Sequence, residues 1–354
     1  MHLSDQPQAQ ITDAPENDAP IVPYSKTMYV WSLRLLLAVL LILGTEILLW
    51  SSPDRREWTD WLYLIPGYIA LATFMLDIAV RYRMRNVYDG LLIAGMYAAL
   101  NALLLNPALT QADFPRTFMT RAMGGYLVFG AEMLGLFLIL TAGFRVRYQR
   151  LLIGYAIWLG FFWGVWMRWT PEFGDWFRRD ISLDTMFAYA SVPILVAFVL
   201  FFFSTRYKRH TPVETSDMML SPLGWTILVG VFLVQFMMRV LEDAILAQDA
   251  IFATLFVLSI TYAILYFRRS DKGRMMLEWH VPPTPMSPVL IVISLLIFGA
   301  MTVVGYEMPL VEIGSLDQLR YMQLLFVGIG FAWLPTVAIA VAIPAIDRQW
   351  KQGE

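Results

Sequence analysis

Cysteine is absent from this 354-residue chain, and histidine occurs only three times. The first absence excludes disulfides, thiolate nucleophiles, iron–sulfur clusters and thiolate zinc sites. The second bears on haem. His2 lies in the polar N-terminal tail, and His210 and His280 lie in connecting loops, so no apolar segment offers an imidazole as axial ligand. No haem, iron–sulfur or thiolate zinc cofactor is expected, and the sequence points to no other. Charge is sparse too: Asp, Glu, Lys and Arg make up 15% of the chain, against about a quarter in soluble proteins. The net charge of −2 gives no support for a nucleic-acid partner. No nucleotide-binding loop, Rossmann glycine pattern, HExxH, GxSxG or EF-hand sequence is present. Nor does any loop carry the paired aspartates that hold magnesium and a diphosphate.

What is abundant is apolar surface. Hydrophobic residues make up 58% of the chain, and its mean hydropathy is +0.58. A bilayer can solvate such a surface from outside, and the lipid bilayer is the first expected partner. Residues 1–26 are polar, acidic and proline-containing, as expected of a disordered cytoplasmic tail. Apolar stretches then recur near 28–50, 59–80, 87–108, 121–144 and 151–169. A second set lies near 185–204, 223–244, 249–267, 288–306 and 320–346. Each is close to the length a helix needs to cross about 30 Å of hydrocarbon. The expected fold is therefore all-α: a polytopic membrane bundle of ten helices, forming one domain over 27–347 with a short tail at 348–354.

Orientation follows from the turns. Those after the second, fourth, sixth and eighth stretches are basic: Arg81, Arg83 and Arg85; Arg145, Arg147 and Arg150; Arg206, Lys208 and Arg209; Arg268, Arg269, Lys272 and Arg274. The C-terminal end adds Arg348 and Lys351, while the alternate turns are leaner in cations or acidic. Positive turns stay in the cytoplasm during insertion, which places both termini there and the protein in a cell membrane, the bacterial inner membrane being the expected one. Arg178 and Arg179 depart from this pattern, in an outer loop that reads as a short interfacial helix.

Ionisable groups within apolar segments are the candidates for function, since inserting one costs about 2.5–3.5 kcal/mol. Glu132 sits near the centre of the fourth stretch. It reads as a proton carrier or ligand contact, or else as a packing hydrogen bond beside the small pair Ala131 and Gly135. In the seventh, Gln235, Arg239 and Glu242 share one helix face, with Asp243 beside them. They form either an interfacial salt bridge or a polar pocket for a headgroup, an ion or a quinone ring. Glu46, Asn101 and Glu307 lie at a similar outer depth, which suggests a single cavity in the outer half of the membrane with Glu132 beneath it. Asp77 and Asp89 are expected to neutralise nearby arginines. The stripe Gly90, Ala94, Ala98 and Ala102 places the third stretch inside the bundle. Trp158, Phe162, Trp166 and Trp169 share a face, which is either an aromatic belt at the interface, expected above all of Trp166 and Trp169, or a stacking surface for a flat ligand. Pro66, Pro193 and Pro335 should bend their helices.

Three functions fit this pattern. The first is a translocator of a small molecule, lipid or ion. The second is a non-catalytic subunit that binds other membrane subunits, for example in a quinone-linked energy-converting complex. The third is an enzyme acting on a lipid at the outer face, and it is the weakest because no catalytic constellation is recognisable.

Overall fold

A computed structural model describes residues 23–51, 53–141, 150–169, 181–208, 214–242, 248–269, 275–277, 287–309, 312–313, 316–344, 346–347 and 350. It contains ten helices long and apolar enough to cross a membrane. They are Lys26–Leu48, Trp58–Arg81, Val87–Leu104, Phe118–Thr141, Leu151–Arg168, Leu183–Ser204, Thr215–Leu241, Gln248–Arg268, Pro288–Glu307 and Leu324–Val341, the first to tenth spans below. The protein is an all-α, multi-pass integral membrane bundle. The first helix begins at Pro23, inside the segment expected to be tail. Proline is well suited to a first helical turn, where its missing N–H costs nothing. Outside the helices, a two-residue antiparallel pairing joins Glu312 to Asp317 and Ile313 to Leu316, between the ninth and tenth spans.

The spans are not equivalent. In the first three, 78% of the most apolar stretch is buried, and in the fourth 67%, against 17% in the sixth and 11% in the seventh. The first four spans therefore form an inner bundle. The sixth packs on the first, the seventh on the second, the eighth on the third and the tenth on the fourth. The fifth span pairs with the ninth. Outward-facing residues of the rim, such as Leu195, Phe202, Leu233, Phe252 and Leu296, are apolar and exposed. A soluble protein would bury them, whereas here they meet lipid.

Close approach of backbones defines two of these contacts. A Cβ on Gly160 or Gly164 of the fifth span would collide with the carbonyl oxygens of Phe298 and Thr302 in the ninth. A Cβ on Gly124 of the fourth span would collide with the carbonyl of Phe326 in the tenth, and one on Gly330 with that of Met119. Glycine at helical spacing is how membrane helices gain dispersion contact without a hydrophobic drive. The stripe in the third span behaves similarly, with Ala94, Ala98 and Ala102 all buried.

Polar contacts bring together the ends that the basic turns predict. On the basic face, Arg81 binds Asp77 within the second span, and Asp77 also accepts from the backbone N–H of Leu220. Arg34 donates to the carbonyl of Met218, and Arg85 to that of Arg268. Asp89 pairs with Arg268 at 2.7 Å, across to the eighth span rather than to the adjacent turn alone. On the opposite face, the ends of the third and seventh spans meet, as do those of the fifth and ninth. Among the described residues, these span ends therefore segregate to two faces.

Candidate functional site

Within the first span the helix widens to π geometry over Leu43–Leu48, shifting hydrogen bonds from i−4 to i−5. Glu46 lies in this segment and is fully buried. Its Oε1 accepts from the Tyr68 hydroxyl and from Asn106 Nδ2 at 2.9 Å. Its Oε2 accepts from Arg56 Nη2 at 2.7 Å. The same Arg56 nitrogen reaches Asn106 Oδ1 at 2.7 Å. Asn101 donates to the hydroxyls of Tyr68 and Tyr97 at 3.1 and 3.2 Å, and its Oδ1 accepts from Asn106 at 2.9 Å. Thr45 and Tyr97 share a hydrogen bond of 2.6 Å. Two tryptophans of the fifth span tie down the same segment: Trp163 Nε1 donates to the Ile47 carbonyl at 3.1 Å, and Trp166 Nε1 to that of Leu49 at 2.9 Å. Trp166 is therefore a buried anchor and not part of an interfacial belt, because its indole N–H finds a carbonyl inside the bundle. The side chain of Trp169 lies outside the described residues.

This knot joins the first three spans and the two loops on the face away from the basic turns. Each Glu46 oxygen is occupied, and the ion pair is closed by neutral donors, the condition under which a buried pair is tolerated. Its geometry supports positioning rather than exchange with a ligand.

The seventh span's polar face has a different task. Gln235 Nε2 donates to the Tyr63 carbonyl at 2.7 Å. Pro66, three residues on, lacks the N–H that would bond the Leu62 carbonyl, one residue before Tyr63. Arg239 donates to the carbonyls of Leu104 and Leu105, at the C-terminal end of the third span, and pairs with Glu242 at 2.6 Å. The last carbonyls of a helix are natural acceptors for a cation. Gln235, Arg239 and Glu242 thus fasten helices, while Asp243 lies outside the described residues. Glu307 is largely exposed and meets Arg168 at 3.3 Å, the same guanidinium that donates to the Tyr306 carbonyl.

Glu132 stands apart. It projects from the fourth span into a groove of about 220 Å³ lined by Val128, Phe129, Trp158, Phe162, Leu325 and Phe326, contributed by the fourth, fifth and tenth spans. Trp158 Nε1 donates to Glu132 Oε1 at 2.9 Å. Phe162 stacks on Trp166 at 5.6 Å and meets Phe326 edge-on at 6.0 Å, which shapes the groove wall. A carboxyl group has capacity for about four hydrogen bonds, so one indole donor leaves acceptor positions for a guest.

The residues expected around a single outer cavity are therefore dispersed. Glu46 and Asn101 do converge, but with Arg56, Tyr68, Tyr97 and Asn106. Glu132, the Gln235–Glu242 face and Glu307 do not join them. Arg56 was hidden because it lies in the polar loop SSPDRREWTD, where a cation reads as interfacial. Tyr68 and Tyr97 were better signalled: each places a hydroxyl inside an apolar stretch, where it needs a partner. Among the described residues, no group of three or more His, Asp or Glu is placed so that it could hold a metal ion. No family model, curated protein or solved structure matches the chain.

Proposed function

We propose that this integral membrane protein translocates an amphiphile that enters from the bilayer and is recognised at Glu132. The single observation behind this reading is a mid-span carboxyl with one indole donor, facing a groove whose other walls are aliphatic and aromatic. Aromatic and aliphatic walls suit a hydrocarbon body, and the open acceptor positions suit a headgroup that donates, such as a hydroxyl or primary amine. Two of its walls come from irregular helices. The fourth span is π-helical over Phe118–Tyr126, and the tenth contains Pro335 and a π segment at Ala338–Ala342. Interrupted helices beside a binding site are a recurrent feature of transporters. The bacterial inner membrane is the proposed location, with 27–347 as a single membrane domain and both termini in the cytoplasm.

The reading is tested by reconstituting the full chain in vesicles that carry acyl-labelled phosphatidylethanolamine or acyl-labelled phosphatidylcholine. Leaflet exchange is then followed by chemical quenching. The ethanolamine headgroup donates hydrogen bonds and the choline headgroup does not. Faster exchange of the former, reduced about tenfold or more by Glu132→Leu, is the expected result. Equal rates for protein-containing and empty vesicles, or an unaffected Glu132→Leu variant, would sink the proposal. Stoichiometric co-purification of other membrane proteins together with inactive vesicles would favour a subunit role instead.

A further inference from the structure

A second cleft, of about 130 Å³, lies where the first, fourth, fifth, sixth and ninth spans meet. Its deep wall includes Leu152, Leu159, Ala197 and Phe201, all buried. Its mouth lies between the sixth and ninth spans, where Phe198 is 41% and Leu295 39% exposed. Those spans present apolar residues on either side, including Val192, Leu195, Val292 and Leu296, so a guest must arrive laterally from lipid.

One polar residue on the ninth span's side of this lining is anomalous. Helical Ser and Thr usually turn back to a carbonyl three or four residues earlier. Thr302 does so to Phe298 at 2.8 Å, Ser204 to Phe201 at 2.7 Å and Thr141 to Phe137 at 2.6 Å. Ser294 lines the cleft, is 5% exposed, and its Oγ has no hydrogen-bond partner among the described residues. Thr73 and Thr254 share that condition, but Ser294 is the one placed on this cleft. A buried hydroxyl without a partner is unfavourable in hydrocarbon, and a guest carrying an acceptor relieves it.

From these observations we infer that the cleft is a lipid site, holding one acyl chain of a bilayer lipid with its ester carbonyl accepting from Ser294. Ser294 lies six residues into the ninth span from Pro288, about 9 Å along the axis at 1.5 Å per residue. The carbonyl is thus drawn just below the end of the span on the basic face, and the chain runs toward mid-membrane beside Phe298. This inference stands on the cleft and Ser294, and it does not depend on the role of Glu132.

The test uses the full chain in vesicles containing phosphatidylcholine with a photoactivatable diazirine on one acyl chain, followed by peptide mapping. Adducts on the buried residues Leu159, Ala197 and Phe201 are expected, reduced several-fold by Ser294→Ala and abolished by Ala197→Trp, which fills the cleft. Wild-type unfolding temperature in Ser294→Ala shows that any loss of adduct is not loss of fold. Adducts confined to exposed positions such as Leu195 and Leu296, unchanged in both variants, would overturn the inference. So would displacement of the buried adducts by excess ubiquinone but not by unlabelled phosphatidylcholine, which would assign the cleft to a quinone.

Discussion

Replacing Arg56 with methionine would leave the Glu46 carboxyl fully buried with only neutral donors around it. Removing one member of a buried pair costs about 3–5 kcal/mol. Arg56→Met should therefore lower the unfolding midpoint in detergent sharply, while the double variant Arg56→Met/Glu46→Leu should recover part of the loss. If Arg56→Met were as stable as wild type, the pair would not be buried in the membrane-embedded protein. Trp163→Phe keeps the stack on Phe298 at 5.6 Å but removes the donor to the Ile47 carbonyl. Leaving that carbonyl unpaired should cost about 1–3 kcal/mol, read in the same unfolding assay. Glu132 differs from Glu46 in this respect. Its one indole contact predicts that Glu132→Gln alters stability little, so a functional defect there can be read as chemistry.

Among the elements, the fifth and ninth spans offer the cleanest contrast. Gly164 has no room for a side chain, because its Cβ would overlap the Thr302 carbonyl. A Cβ on Gly154, three turns earlier on the same helix, would meet nothing within 4 Å among the described residues outside its own helix backbone. Gly164→Leu should force the helices apart and cost about 1–3 kcal/mol or more, whereas Gly154→Ala should be neutral or slightly stabilising through helix propensity. Equal effects of the two substitutions on unfolding would contradict the packing described. The π segment of the first span makes a related point. Nothing in LGTEIL distinguishes π from α hydrogen bonding. The wider turn is held by contacts from elsewhere: the Trp163 and Trp166 donors and the knot around Glu46.

Taken as a whole, the molecule is an inner bundle of four spans partly wrapped by the others, with the described ends that contact one another lying on two faces. The cysteine-free sequence makes that arrangement directly measurable. In intact cells, Asp113→Cys on the face away from the basic turns should react with an impermeant maleimide. Ser216→Cys, on the basic face beside the Lys26–Asp217 pair, should react only after permeabilisation. The opposite pattern would invert the orientation, and labelling of both sites in intact cells would remove the ten-span topology.

The number of spans and their order were set by sequence alone, because each depends on a local quantity, the length of an apolar run; the charge of the turns beside them carries the proposed orientation. The burial of the third span was legible for the same reason, in small residues at helical spacing. Which helices touch depends instead on long-range packing of chemically similar surfaces, and periodicity does not encode it. Glu46, Asn101 and Glu132 share a similar setting in sequence, a polar residue within an apolar run. Only the tertiary structure separates them, closing the first two into a knot with Arg56 and opening the third onto a groove of aliphatic and aromatic side chains.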